Sequence, residues 1–575
     1  MGCLFGSISP FMGLPPQLRS AIVGTGWAGA RHAMPTVRMR LPCIRIDLIA
    51  VRGNTAQERG TTMESTDISR RNFVSGAVAA GLAMTAASTA KADNASGDGT
   101  DIAWDEECDV LVVGSGYSGL AAALEAHAAG ADVKIIDKRA SFGGNSLIAD
   151  GDFAVCGSSA QAAQGVEDSV DDYVNDMLVA GLNLNDVEKC RQIAELSNET
   201  WEWTREYLGV EFVTLEDGNI ELLPYGGHSN YRTMKPVGAG AAYVLALKDK
   251  VDEAGMEIET GTMLATLITN ADGRVVGAKV GVGVTDDTDA STGEPRTIKA
   301  RKAVVLATGG FGGDVAWRQL HDPTLDETVA STNREGTTAE ALQAAMRIGA
   351  LPVHLDWIQL GPWCSPDETD CGAAWTYIDS AFPYGPCIDP TTCKRIVSEL
   401  NDRKRLCDAI IANGQPLIQI VDERNLPDWA FPYLETCLDY PCTWKFDSLE
   451  EIAEQFGLDF DAMKAEIDRY NSFVESGVDE DFGKAIPETA LPMAEPPFYV
   501  TRVWPKVHHT MGGLKTNLDS QVLDVELNVI PGLYAAGEAT GGIHGACRLG
   551  SCATADCLIN GRIAGQKAAA EEDWQ

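Results

Sequence analysis

At 575 residues, 45% apolar and 22% charged, the chain carries material for two to four domains, or one large domain with an insertion, and is not a disordered chain. A formal net charge of −38 argues against binding to nucleic acid or to an anionic membrane surface. The fifteen cysteines include no C-x-x-C, which excludes an attached c-type haem and leaves no zinc or ferredoxin spacing.

Residues 1–62 differ from the rest. They hold seven arginines against Asp47 and Glu58, a local +5 in an acidic chain. Residues 21–29 read AIVGTGWAG, with Gly24, Gly26 and Gly29 in G-x-G-x-x-G spacing ahead of an apolar run at 46–51. About forty residues cannot bury a core of their own, so we read 1–62 as a non-structural upstream extension with translation starting at Met63. Arg70-Arg71 then precedes an uncharged small-residue run at 76–90, and Ala90-Lys91-Ala92 offers a cleavage site. This pattern predicts a Tat signal peptide at 63–92 and a polar linker at 93–103, with the mature protein exported to the periplasm or the outer face of the cytoplasmic membrane.

The organising stretch is 109–146. Residues 109–113 form a short apolar run that reads as a buried strand, and Gly114, Gly116 and Gly119 follow where the strand turns into an Ala/Leu-rich helix. The first glycine permits a tight turn, the second lets backbone approach a pyrophosphate, and the third packs helix on strand. A second strand at 132–136 ends at Asp137, whose carboxylate can accept hydrogen bonds from an adenosine ribose. Alternating strands and helices run on to about residue 357, with strands and an Asp272-Gly273 turn at 251–280 and a polar loop at 285–295. Between 358 and 503 cysteine, proline and aromatics rise, and helices at 449–456 and 461–475 alternate with long loops. The strand-and-glycine pattern returns at 504–575. The fold class is therefore α/β: a Rossmann-like dinucleotide-binding domain at 104–357 and 504–575, interrupted by an α+β capping domain at 358–503.

Gly143-Gly144-Asn145-Ser146, AVVLATGG at 303–310 and GLYAAGE at 532–538 resemble the FAD-binding signature of two-dinucleotide-binding-fold flavoproteins. PKVHHTMGG at 505–513 and the long segment GLYAAGEATGGIHGACRLG at 532–550 resemble the flavoprotein subunits of the soluble fumarate reductase and flavocytochrome c family. That resemblance covers about 109–565 and is thin in the insertion. It implies FAD as cofactor and hydride transfer from flavin N5 to an electron-poor C=C bond. It further implies that His508 and Arg548 clamp a substrate carboxylate, that Arg403 is the acid, and that Asp379 resupplies its proton, with Asp402 as an alternative relay. Ser118, Lys138, Gly144, Asn145, Ser146, Asp150 and Gly151 are assigned by the same resemblance to the cofactor, as are His509, Glu538, Ala553 and Thr554. Residues 510–512, Glu538 and Thr540 also resemble a structural cation site of the family, but we assign no metal.

An acceptor in which negative charge develops is best polarised by cationic donors where water is excluded, and arginine's fork matches a carboxylate. Guanidinium scarcely gives up a proton, so Arg403 as acid needs burial and a carboxylate behind it. One departure matters. Where fumarate reductases carry a second substrate histidine in an IQ-x-HP context, residues 358–362 read IQLGP, so Gly361 stands in its place. We expect weaker binding of a dicarboxylate and room for something larger, lined by Trp357, Trp363, Trp375, Tyr377, Phe382 and Tyr384. The reading is an FAD-dependent reductase of an unsaturated acid or enone other than fumarate, served by a separate cytochrome or quinol-linked electron donor. A 3-ketosteroid dehydrogenase-like flavoenzyme and a non-catalytic electron relay are the alternatives. An iron–sulfur cluster built from dispersed cysteines stands against buried reduced thiols.

Overall fold

The run EECDVLVV forms β1 (Glu106–Val113), and its alternate residues point to opposite faces. Val110 and Val112 enter one core while Leu111 and Val113 enter another. Burial on both sides is why the strand reads as an unbroken apolar run rather than an alternating one. The computed structural model describes residues 102–574 apart from 224, 287 and 369–371; the predicted extension and Tat signal lie outside them. α1 (Tyr117–Ala128) follows the glycines, and β2 (Val133–Asp137) ends on the predicted acid.

α2 (Ala239–Glu253) claims Val251, which the sequence pattern placed in the strand region. Strands then follow as β3 (Ile258–Thr260), β4 (Thr262–Thr269) and β5 (Val275–Val282). Gly273 makes the tip of the β4–β5 hairpin with φ of 80°, a left-handed conformation that glycine adopts without a steric penalty. β6 (Glu294–Leu306) begins inside the polar loop predicted at 285–295.

The insertion carries β7 (Ile358–Gly361), α3 (Trp375–Ala381), β8 (Cys387–Ile388) and α4 (Arg403–Asn413). β9 (Leu417–Asp422), β10 (Thr443–Phe446), α5 (Leu449–Phe456), α6 (Phe460–Ser476) and β11 (Phe498–Val503) complete it. β8, β9, β11 and β10 form an antiparallel sheet in that order, so the predicted α+β character is present. Both predicted helices are found. The chain returns along β12 (Lys506–Thr510), which pairs antiparallel with β7 and sets Gln359 opposite His509.

β13 (Gln521–Leu523), β14 (Val529–Ala535) and α7 (Cys552–Ala570) finish the fold. The main sheet runs β13-β14-β6-β1-β2-β3, parallel from β14 to β3, with the β4–β5 hairpin folded antiparallel onto β6. Val113, Leu306 and Ala535 lie side by side, so three strands end at one edge of the sheet. α7 crosses α1 there at backbone contact: a Cβ on Gly561 would sit 2.6 Å from the Ser118 carbonyl oxygen, and one on Gly565 2.1 Å from that of Ala122.

Candidate active site

Ligands of open α/β sheets bind beyond the carboxyl ends of the strands, and a cleft lined by Gly114, Asp137, Asn145 and Thr308 opens there. Gly114 (φ 105°) and Gly119 press on neighbouring backbone: a Cβ would fall 2.3 Å from the Ala307 oxygen and 1.9 Å from the Gly114 oxygen, respectively. At Gly116 a Cβ would lie 3.1 Å from the Ser146 hydroxyl, so this glycine alone of the three is crowded by a side chain rather than by backbone. α1 starts at Gly116 without a side-chain cap. Ser146 Oγ accepts from the Tyr117 N–H at 3.1 Å.

Asp137 lines the cleft, and its carboxylate already accepts from Ser115 N at 3.0 Å, Ser115 Oγ at 2.5 Å and Arg139 N at 3.0 Å. Burial nonetheless raises its pKa above the ordinary carboxylate value. Lys138 is drawn to Thr338 Oγ1 at 2.6 Å and to Glu340. Asn145 is fixed by Asn333 at 2.6 Å and the Arg334 N–H at 2.8 Å. Gly144 and Glu538 line the same cleft, and Ser118 lines it from α1. Gly151 (φ 76°) brings backbone against Gly240, where a Cβ would lie 2.7 Å from N. Asp150 beside it is solvent-open. Ala553 and Thr554 occupy the first turn of α7, whose start at Ser551 (φ 58°) has no side-chain cap.

His509 and Glu538, the latter lining the cleft, come together at its edge. Glu538 accepts from Thr510 N at 2.9 Å and Thr510 Oγ1 at 3.1 Å, with burial pushing its pKa up. His509 approaches Glu538 through Nδ1 at 3.5 Å, while its Nε2 is buried without a hydrogen-bond partner. An orphaned imidazole nitrogen, a glycine cradle and two uncapped helix starts together fit a phosphate-bearing, polar-ringed cofactor. Glu538 and Thr510 satisfy one another here. No three His, Cys, Asp or Glu residues are grouped to hold a metal among the described residues, and the described cysteines are all free, most of them buried.

Beyond His509 the chain assembles a cationic corner from three distant segments. His508 on β12 holds Nδ1 2.9 Å from Thr332 Oγ1 and Nε2 3.4 Å from Arg548 Nη2. Arginine can only donate, so Nε2 is the acceptor and Nδ1 carries the proton. Burial, then Arg403, then Arg548, hold the His508 pKa well below its ordinary value. Arg403 opens α4. Its guanidinium lies over Trp363 (5.0 Å) and Trp375 (5.4 Å) and donates to Gln359 Oε1 at 3.1 Å. Burial first, and Arg548 second, lower the Arg403 pKa to about 10. Asp379 on α3 is solvent-exposed, yet surrounding protein and Asp150 push its pKa up to about 6 against the opposing pull of Arg403. Asp402 does not join them: it caps α4 by accepting from Arg405 N at 3.0 Å and faces solvent with the Arg405 side chain, which corrects its candidacy as a relay.

Two expectations about the pocket need correction. The space at Gly361 is filled: a Cβ there would lie 2.2 Å from Cζ3 of Trp375. Tyr377 and Phe382 are buried in the core of the insertion rather than lining a cavity. Three further residues at or near the site were not singled out from the sequence. Buried Gln359 donates from Nε2 to the Arg548 carbonyl at 3.0 Å and to Cys547 Sγ at 3.0 Å, so one amide ties both arginines together. Thr332 holds His508 Nδ1 with a hydroxyl that fits either tautomer, and the Arg548 contact decides which. Tyr225 donates to Asp152, whose pKa is raised to about 7 by burial and by Asp150. Gln359 stood in the quoted IQLGP run and was readable as an internal amide; Thr332 and Tyr225 carry no local signal.

The FAD binding domain family matches residues 109–554. The chain is 39% identical over 509 residues to the acrylate reductase flavoprotein subunit of Shewanella woodyi, covering 86% of this chain and 97% of that protein. It is 32% identical over 477 residues to the urocanate reductase of Eggerthella lenta, covering 81% and 75%. Among solved structures, the open conformation of a flavocytochrome c3 fumarate reductase superposes with a TM-score of 0.70 at 31% identity, covering 88% of this chain and 82% of that one.

Proposed function

The chain belongs to the FAD binding domain family matched over residues 109–554, and from that premise we propose that it is an FAD-dependent reductase of the activated C=C bond of an unsaturated acid. The observation that carries the reading is the convergence of Arg403, His508 and Arg548, with Gln359 bridging the two arginines. Similarity to reductases named for acrylate, urocanate and fumarate supports the same chemistry. A corner with two guanidinium groups suits a carboxylate better than a ketosteroid, which sets the dehydrogenase alternative behind.

Bound FAD supplies the hydride. The protein's residues do the rest. Arg548 and His508 hold the substrate carboxylate, and their donors stabilise negative charge as it grows on the acid. Carboxylate binding displaces the Arg548–His508 contact; the Thr332 hydroxyl then donates to Nδ1, the proton moves to Nε2, and Nε2–H donates to the anion. Arg403 delivers the proton to the carbon next to the one that accepts hydride; crowding of two cations in a partly buried corner brings its acidity nearer to what the step needs. Asp379, with a pKa of about 6, then restores that proton from the solvent side. The electrons come from a separate cytochrome or quinol-linked donor, and the twin-arginine leader exports the loaded protein. Among the described residues no helix is long and apolar enough to cross a membrane.

The test is anaerobic. The yellow protein is reduced with dithionite and mixed with unsaturated acids and enones, and flavin reoxidation is followed by absorbance. Reoxidation by an unsaturated acid, lost by at least about a hundredfold in Arg403→Ala and Arg548→Ala, is expected. Wild-type rates in both variants would refute the assigned roles; failure of every acceptor would favour the electron relay.

A further inference from the structure

We propose that Trp375, seated on Gly361, limits the substrate to a short α,β-unsaturated monocarboxylate whose double bond carries no bulky or charged substituent. The proposal rests on the reductase reading above and deepens it. Trp375 touches both ends of the span a substrate must cross. Its ring lies 4.8 Å from the His508 imidazole at 37° and 5.4 Å from the Arg403 guanidinium, and Trp363 braces it edge-on at 4.9 Å. A molecule reaching from the clamp to the acid therefore runs alongside the indole, and any group added to its double bond meets that wall.

Gly361 is what allows the wall to stand there. Its φ is not in the left-handed region, so backbone conformation does not demand glycine. The demand is steric, because a Cβ would lie 2.2 and 2.6 Å from two ring carbons of Trp375. Glycine at 361 and tryptophan at 375 form one device. The charge pattern agrees with it. Once Arg548 holds the first carboxylate, Arg403 is the cation left at this corner, and acidic Asp379 acts on it, so a second carboxylate would tie up the proton donor and meet a like charge.

The experiment uses FAD-loaded, dithionite-reduced protein and three acceptors: acrylate, the smallest member of the class, then cinnamate, which adds a phenyl ring, and fumarate, which adds a charge. Wild type is expected to reoxidise with acrylate and poorly with the other two. Trp375→Ala should raise the cinnamate-to-acrylate ratio of kcat/KM by at least about tenfold, as pocket changes of this size do, and Trp375→Phe by an intermediate factor. Gly361→Ala should lower kcat/KM for acrylate by at least about tenfold, yet change it less than about twofold when Trp375→Ala is already present. Flavin occupancy and circular dichroism identify any variant that fails to fold, and Trp375→Phe then carries the decision. Unchanged acceptor ratios in the Trp375 variants, or a Gly361→Ala defect that persists without the indole, would overturn the proposal while leaving the reductase reading intact. A wild-type enzyme that reoxidises with none of the acids overturns both.

Discussion

Gln359→Leu offers the sharpest test of how the cationic corner is held. Leucine has about the right volume and removes three hydrogen bonds: Arg403 Nη1 to Oε1 at 3.1 Å, Nε2 to the Arg548 carbonyl at 3.0 Å, and Nε2 to Cys547 Sγ at 3.0 Å. The first is charge-assisted, worth about 1.5–3 kcal/mol, the second about 1 kcal/mol, and the thiol contact less. Both arginines are only partly buried, so water entering the cleft can recover roughly half. About 1.5–2 kcal/mol remains, which corresponds to a loss of roughly 10–30-fold in the rate of flavin reoxidation. The loss should appear mainly in kcat, because the carboxylate clamp of His508 and Arg548 is still present while the acid has lost its anchor. Gln359→Glu should be slower still: a carboxylate beside Arg403 forms an ion pair and raises the guanidinium pKa, making it a poorer acid. Stopped-flow mixing of reduced protein with acceptor reads both numbers. Rates for Gln359→Leu within twofold of wild type, or a Gln359→Glu variant faster than Gln359→Leu, would refute the reasoning.

Asp379 has a pKa of about 6, raised from the ordinary carboxylate value, and must be protonated to resupply Arg403. The turnover rate should therefore be highest below about pH 6 and fall as pH rises through that value; Asp379→Asn should abolish this limb and lower the plateau, as a pH series of kcat would report. At the crossing of α1 and α7, Gly565→Ala forces a methyl group to within 2.1 Å of the Ala122 carbonyl. Overpacking of about 1–3 kcal/mol should outweigh alanine's helix preference of roughly 1 kcal/mol, so thermal unfolding should move to lower temperature with loss of flavin retention.

The cofactor half was legible because its signals are local. A run of β-branched residues, three glycines at fixed spacing and an acid at the end of the next strand each act over a few residues, and β1, α1 and Asp137 lie where the pattern put them. Val251 was misjudged because β-propensity is a weak prior and the alanine-rich segment before it extends as helix. Arg403, His508 and Arg548 could be picked out only by resemblance; nothing in their spacing says that three segments converge. Gly361 shows the limit most clearly. Loss of a side chain suggested a larger cavity, whereas close packing leaves few voids and a tryptophan from α3 had moved into the space. Asp402 and Asp379 look alike in sequence, and only the helix cap tells them apart.

The ribbon made by β7 and β12 has an architectural consequence. The polypeptide leaves the flavin-binding body and comes back along adjacent antiparallel strands, Ile358 facing Thr510 and Gln359 facing His509. An excursion of more than a hundred residues thus begins and ends at neighbouring points. Residues can be added along it without changing the strand order of the parallel sheet, because both of its ends stay where they are. Leu325 and Val329 of the body share a core with this excursion, so the part that bears Arg403 and Trp375 is anchored to the part that binds the flavin.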